Sequence, residues 1–261
     1  MPLKEVYAYK ANSVDESYTT PLIAEHEYDV GDDTVMSRKY TYDAAGNITE
    51  IRNGDNALLS SYEYDGLGRL IRENVPGGDI TVTVYDKAGN ITKKKKFAYA
   101  ENASQSTDTL LSSVNGTEIS YGYYTAGNKD RLKTYNGSRT LEYDGYGNPK
   151  KWFKHSGSGS TLGYTLQWAN VSELTSISDD ETEVLHAYTY NDQGIRIRKV
   201  TNGTTHKYYL DGSRIIAENI TTGNVTEELH YYYDVKGICG FKYNGTTYYY
   251  VKNIQGDIVA V

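Results

Sequence analysis

Tyr40-Thr41-Tyr42-Asp43-Ala44-Ala45-Gly46-Asn47-Ile48-Thr49-Glu50-Ile51 is the stretch that decides the fold. Period-two alternation puts Tyr40 and Tyr42 on one face of a strand. Asp43 stands where a type I turn favours Asp, and Gly46 where such a turn favours Gly. The Asp43 carboxylate can accept from backbone N–H groups two residues on and close the turn. Gly46 supplies a left-handed backbone that a β-branched residue resists. Ile48-Thr49-Glu50-Ile51 then suits a returning strand, because β-branched residues fit a pleated surface. The unit is a hairpin, and the spacing across its turn suggests a bulge, with the register left open.

The unit recurs. Tyr64-Asp65-Gly66-Leu67-Gly68-Arg69, Tyr85-Asp86-Lys87-Ala88-Gly89-Asn90 and Tyr143-Asp144-Gly145-Tyr146-Gly147-Asn148 are further copies. Looser ones are Tyr190-Asn191-Asp192-Gln193-Gly194-Ile195 and Tyr233-Asp234-Val235-Lys236-Gly237-Ile238. A spacing near twenty residues is that of an array of one supersecondary unit. Between these turns lie Asn53-Gly54, Asn115-Gly116, Asn136-Gly137, Asn202-Gly203 and Asn244-Gly245, all strong hairpin signals. Tyr-Asp turns at one end alternating with Asn-Gly turns at the other read as a long antiparallel meander. Residues 1–37 lack the motif and are expected to form an N-terminal cap or irregular strands ahead of a repeat array over 38–261. Residues 100–113 read as a long loop or a single helical turn, and His155 to Ser160 as a hairpin tip. No stretch has sustained helical periodicity, so almost no helix is expected.

Composition limits the core. Tyr supplies 28 of the 261 residues, with 3 Phe and 2 Met. Counted with Gly in place of Tyr, the apolar share is about 37%, against a norm of roughly 45–50%. Such a chain suits a thin sheet with Tyr on its faces, the rings packed and the hydroxyls wet. A net charge of -7 argues against nucleic acid and against an anionic membrane surface. Lys93-Lys94-Lys95-Lys96 is the exception. It reads either as a polyanion patch or, better, as a solvated or edge strand guarded by lysines. No apolar run is long enough to span a bilayer, and Met1 to Tyr7 carries no signal-peptide apolar region. Residues 257–261 read as a strand with no turn after them, so the chain is expected to be a piece of a longer protein.

Catalytic and metal signals are weak. The single Cys239 allows no intrachain disulfide and has no nucleophile signature. His26, His155, His186, His206 and His230 form no metal-binding pair and read as strand or loop residues. Each motif Asp comes with its own turn glycine, so closing the turn is a better reading than binding calcium. Asp32-Asp33 and Asp179-Asp180-Glu181 read as solvated loops. No cofactor is expected. Asn-x-Ser/Thr sequences at Asn47, Asn90, Asn102, Asn115, Asn136, Asn170, Asn202, Asn219, Asn224 and Asn244 read as turn chemistry rather than glycan sites.

At the motif residues the chain resembles YD-repeat proteins of the Rhs (rearrangement hot spot) type, found also in the C components of insecticidal toxin complexes and in teneurins. The family pattern is Tyr-x-Tyr-Asp-x-x-Gly-Arg-Leu/Ile. Tyr62 to Leu70 matches it throughout, and Tyr40 to Ile48 matches with Asn for Arg. Tyr85 to Ile91 matches with Thr83 in the first Tyr place, Tyr121-x-Tyr123-Tyr124 lacks the Asp, and Leu166-x-Trp168 resembles a Trp variant. His206 to Gly212 and Tyr248 to Asp257 resemble late repeats. The resemblance covers residues 38–261. It implies a spiralling β-sheet that winds into a shell around a C-terminal cargo, often a toxin. The autoproteolytic segment that follows the repeats in fuller members has no counterpart here, so no catalytic residue is carried over.

The reading is therefore an all-β, long antiparallel meander of hairpins forming a curved or spiralling open sheet. Its function is expected to be non-catalytic: a β-shell module that encloses or presents an effector, in a secreted or cell-surface bacterial protein. The motif residues Tyr42, Asp43, Gly46, Tyr64, Asp65, Gly68, Arg69, Tyr85, Asp86, Gly89, Tyr143, Asp144, Gly147, Tyr190, Gly194, Tyr233, Asp234 and Gly237 would carry the structure. The expected partner is the remainder of the parent polypeptide or its effector, without nucleic acid or membrane insertion. The rival reading is a carbohydrate- or cell-wall-binding surface of tyrosine rows, including Tyr231-Tyr232-Tyr233 and Tyr248-Tyr249-Tyr250.

Overall fold

Alternating Tyr, Thr and aliphatic residues punctuated by turn residues produce strands that pair only with their neighbours in sequence. A computed structural model describes residues 3–11, 19–136, 139–156, 159–179 and 183–261. Eleven strands pair in chain order in one antiparallel sheet: β1 (Leu3–Ala11), β2 (Thr19–Val30), β3 (Asp33–Tyr42), β4 (Ile48–Asn53), β5 (Leu58–Tyr64), β6 (Leu70–Asn74), β7 (Asp79–Tyr85), β8 (Ile91–Ala98), β9 (Thr117–Tyr123), β10 (Leu132–Tyr135) and β11 (Arg139–Thr140). Two short helices, α1 (Tyr99–Asn102) and α2 (Thr107–Ser112), interrupt it between β8 and β9. Ten strands make a second sheet: β12 (Lys151–Ser156), β13 (Gly159–Ala169), β14 (Glu173–Asp179), β15 (Glu183–Tyr190), β16 (Arg196–Thr201), β17 (Thr204–Asp211), β18 (Arg214–Thr222), β19 (Val225–Asp234), β20 (Gly237–Tyr243) and β21 (Thr246–Tyr249). A ribbon of β22 (Val251–Lys252) and β23 (Ile258–Ala260) follows. The fold is all-β, in open sheets not closed into a barrel.

The chain divides into two units. One comprises Met1–Arg131, Tyr135–Gly137 and Val251–Ala260; the other comprises Leu132–Thr134, Ser138–Tyr250 and Val261. In the first unit, β1 to β3 pair antiparallel in chain order, with register shifts between Ala8 and Tyr9, Tyr9 and Ala11, and Tyr28 and Asp29. Its apolar centre is Ile80, Val82, Phe97 and Leu110, with Tyr99 and Leu111 packed against it. Burying each aliphatic side chain there contributes about 1.5–3 kcal/mol. The last segment packs on the first strands, where Val251 joins Tyr28, Met36 and Leu3.

The structure corrects three expectations. Lys93–Lys96 is not an edge, because β8 lies between β7 and β9. Lys95 is buried and donates to the carbonyls of Leu111 and Ser113, both at 2.8 Å. It thus satisfies carbonyls that the end of α2 leaves without a helical partner. Arg72, also buried, donates to the Gln105 carbonyl at 2.8 Å and to Asn74 Oδ1 at 2.7 Å, fixing the segment between the helices. Lys93 and Lys96 pair with Glu118 and Asp79, and Lys95 shares Glu118 with Lys93.

Asn53-Gly54 and Asn115-Gly116 are not two-residue hairpin turns. Asn53 N–H reaches the Ala57 carbonyl (3.0 Å) and Asn56, at φ 64, takes the left-handed place. Asn115-Gly116 follows α2 and leads into β9, and Gly116 lies so close to Phe97 that a Cβ there would meet the ring at 2.5 Å. Asn202-Gly203 (φ 48 and 76) and Asn244-Gly245 (φ 47 and 81) are type I′ turns as read. The tip residues Gly157 and Ser158, Asp180-Glu181, and Gly137 of the Asn136-Gly137 pair lie outside the described residues. The third correction concerns the motif tyrosine hydroxyls, which donate to backbone carbonyls rather than to water.

Candidate functional site

The motif builds one device several times over. In the first copy Asp43 N–H bonds the Asn47 carbonyl (2.9 Å), Gly46 N–H bonds the Asp43 carbonyl (3.2 Å), and Gly46 sits at φ 87. Asp43 Oδ1 accepts from the N–H groups of Ala45 and Asn47, and Oδ2 accepts from Asn47 Nδ2, all at 2.9 Å. Asp65, Asp86 and Asp144 repeat this arrangement, as does Asn191 through its Oδ1. Hydrogen bonds from Asn47, Arg69, Asn90 and Asn148, side chain first, hold these four Asp carboxyls below their ordinary range. Such saturated carboxylates have little capacity left for a metal, and among the described residues no group of three or more His, Cys, Asp or Glu could hold one.

Immediately before the turn the ladder slips. Thr41 pairs with Glu50 but Tyr42 with Ile48, so the strand carries a bulge at the motif tyrosine. The same shift precedes Tyr64, Tyr85, Trp168, Tyr190 and Tyr233. Each aromatic ring then crosses to the preceding repeat. Tyr64 donates to the Ile48 carbonyl (2.8 Å), Tyr85 to Leu70 (2.9 Å), Tyr123 to Ile91 (2.8 Å) and Tyr143 to Leu132 (2.7 Å). Tyr190 donates to Leu174 (3.0 Å), Tyr233 to Ile215 (2.6 Å), and Tyr42 to Ile23 (2.6 Å). Trp168 does the same with its indole N–H, to Pro149 at 2.8 Å. For Tyr64, Tyr85, Tyr123 and Trp168 the acceptor lies two residues after the previous motif glycine, and it is a backbone carbonyl that Ile48, Leu70, Ile91 and Pro149 supply alike. Burial pushes the phenols of Tyr42, Tyr64 and Tyr123 up.

The residue after the motif glycine makes a second crossing. Arg69 binds its own Asp65 (2.6 Å), donates to the Asp86 carbonyl of the next turn (3.0 Å), and lies 4.7 Å from the Tyr85 ring centroid. Asn148 donates to the Val171 carbonyl at 2.5 Å. Gly89, Gly147, Gly194 and Gly237 all have positive φ, as do Gly46 and Gly68. In the Tyr233 copy, Asp234 Oδ1 accepts from Lys236 N–H at 2.7 Å. The structure thus puts the motif residues in separate turns, coupled only to adjacent repeats, and does not gather them into one site.

Sequence reasoning missed two buried clusters. Glu5 accepts from His26 Nε2 (2.9 Å) and the Tyr28 hydroxyl (2.8 Å), and also from Tyr7, whose ring stacks on His26 at 4.5 Å. Glu218 takes His206 Nδ1 and the Tyr231 hydroxyl, each at 2.5 Å. Burial, then the bond to the carboxylate, pushes Tyr28 and Tyr231 well up. The members come from consecutive strands, β1 and β2 in one cluster and β17 to β19 in the other, so only the register reveals them. Every carboxylate here meets strand side chains that donate to it, while the buried His26 Nδ1 has no hydrogen-bond partner among the described residues.

Comparison with known proteins agrees with this geometry. A family model described as RHS Repeat matches residues 42–80. The chain is 28% identical over 205 residues to a tRNA3(Ser)-specific nuclease WapA of Bacillus spizizenii, and 29% identical over 205 residues to a tRNA nuclease WapA of Bacillus subtilis strain 168. Each match covers 76% of this chain but only 7% of the relative. Among solved structures, TcdB2-TccC3 superposes with a TM-score of 0.63 at 15% identity, covering 97% of this chain and 14% of that one. The TcdB2-TccC3-Cdc42 structure gives 0.62 over the same shares. The chain therefore spans a small part of each protein it matches. Repeated Tyr-Asp turns, each stapled to the one before, together with these likenesses, support the YD/Rhs repeat family for this chain, with residues 42–80 carrying the RHS Repeat match.

Proposed function

We propose that this chain is a non-catalytic wall segment of a longer Rhs-type protein, and that the wall encloses or presents an effector carried elsewhere in the same polypeptide. Residues 1–37 would be its cap and 38–261 its repeat array. The observation that supports this reading most is the engagement of the motif's polar groups within the sheet: a phenol whose proton is committed to a backbone carbonyl, or a carboxylate that already accepts three hydrogen bonds in its own turn, stiffens a sheet and is poorly placed to move a proton for a substrate. The WapA relatives, named as tRNA nucleases, fit a parent whose activity lies outside the 7% matched. Such a parent would be secreted or displayed at the bacterial cell surface. Among the described residues no helix is long and apolar enough to cross a membrane.

The test is to express the chain with its parent's flanking sequence and digest it with protease. Protection of the flanking segment only when the repeats are present supports enclosure. Equal sensitivity with and without them overturns it. Cleavage of tRNA by the chain alone would overturn the non-catalytic part.

A second reading is favoured by one specific observation. Tyr209, Tyr232, Tyr248 and Tyr249 of the ten-stranded sheet are exposed, unlike the motif tyrosines. A shallow pocket of about 380 Å³ on that sheet is lined by Thr226, Glu228, His230, Lys242 and Asn244. Exposed flat rings and a shallow pocket of mixed hydrogen-bonding groups on one sheet suit a sugar. A glycan array without signal above background removes this reading.

A further inference from the structure

Four Asn-Gly pairs are fully described, and they differ in one respect that matters chemically. Asn202-Gly203 and Asn244-Gly245 are pinned at positive φ between the ladder pairs Thr201–Thr204 and Tyr243–Thr246. Asn53 has its side-chain oxygen held by the Ala57 N–H at 2.8 Å. Asn115 is exposed, its side chain makes no hydrogen bond among the described residues, and only its backbone N–H is engaged, by Ser113 Oγ at 3.2 Å. The N–H of Gly116 likewise donates to nothing among the described residues. Neither residue belongs to a helix or a strand.

We propose that Asn115 is a spontaneous deamidation site whose conversion loosens the helical insert. The deprotonated backbone nitrogen of Gly116 attacks Cγ of Asn115 and forms a five-membered succinimide. The bond from Cγ to the side-chain nitrogen breaks, and that nitrogen leaves as ammonia, with the backbone proton returned through solvent. Water then opens the ring at either carbonyl, giving aspartate or isoaspartate; nothing is oxidised or reduced. A following glycine favours the attack because it has no side chain to obstruct its nitrogen. In the two type I′ turns the same ring closure first requires the hairpin to open.

The position gives the reaction a consequence. Isoaspartate lengthens the main chain by one methylene next to Gly116, which already lies against Phe97 of the apolar centre. A well-packed interior has little room to absorb that shift. Phe97 packs with Leu110 of α2, and the Lys95 ammonium that holds Leu111 and Ser113 lies two residues away on the same strand.

The experiment incubates the whole chain at mildly alkaline pH and quantifies aspartate and isoaspartate in tryptic peptides. Asn115 is expected to convert on the order of tenfold faster than Asn202 and Asn244 in the same sample, the ratio that a hairpin-opening cost near 1.4 kcal/mol imposes. Comparable rates at the three positions overturn the site. Hydrogen exchange at the Leu110 and Ser113 amides then tests the consequence. It is expected to rise in the aged chain and to stay unchanged in Asn115→Gln incubated alongside. Equal exchange in the two overturns the coupling to the insert.

Discussion

Replacing Gly68 by Asn, Ala and Val separates strain from space. Gly68 stands at φ 75, and the nearest atom to a built Cβ is Asn47 Oδ1 at 4.0 Å, an ordinary contact. Any cost therefore comes from the backbone. An L-residue in the left-handed region costs roughly 1–2 kcal/mol, and a β-branched one more. The structure supplies its own control. In the Asn53–Ala57 turn the same bonding pattern is made with Asn56 at φ 64 in the glycine's place. Asn tolerates this region because its short polar side chain can bond locally. Gly68→Asn is therefore expected to cost less than about 0.5 kcal/mol, Gly68→Ala about 1, and Gly68→Val roughly 2. Urea unfolding read by circular dichroism gives the ranking. Exchange at the Gly68 amide, which bonds the Asp65 carbonyl at 2.9 Å, localises it. If Asn proves as damaging as Val, or Val unfolds like the parent, the left-handed turn is not what limits stability here.

Other outcomes follow from the same geometry. Tyr64→Phe keeps the ring but loses the bond to Ile48, and should lower stability by about 1 kcal/mol in urea titration. Gly240→Ala, where a Cβ would lie 2.3 Å from the Tyr248 carbonyl oxygen, should cost about 1–3 kcal/mol through crowding, and Asn should not rescue it. Lys95→Met should selectively raise hydrogen exchange at Leu110 and Ser113, since two carbonyls lose their donor. The lowered carboxyls of Asp43, Asp65, Asp86 and Asp144 stabilise the fold above the unfolded-state carboxylate pKa of about 3.9. That stabilisation is lost as pH falls through the lower folded-state values, so thermal midpoints should drop below about pH 4. A midpoint flat through that range would refute it.

The sequence by itself determined the strand class, the positions of the Tyr-Asp turns and the bulge. Those are local matters: Tyr-Asp-x-x-Gly fixes φ, a side-chain acceptor and a reversal within a few residues. Asn202-Gly203 was equally legible, because a type I′ turn needs only its two central residues. Tertiary structure alone decided where the tyrosine hydroxyls go, why Lys95 is buried, what Gly116 touches, and that Glu5 meets His26 and Glu218 meets His206. Each of these joins atoms from different strands or from the helical insert. Their pairing depends on a register that the bulges shift one residue at a time, and a one-residue shift turns every side chain to the opposite face of the sheet.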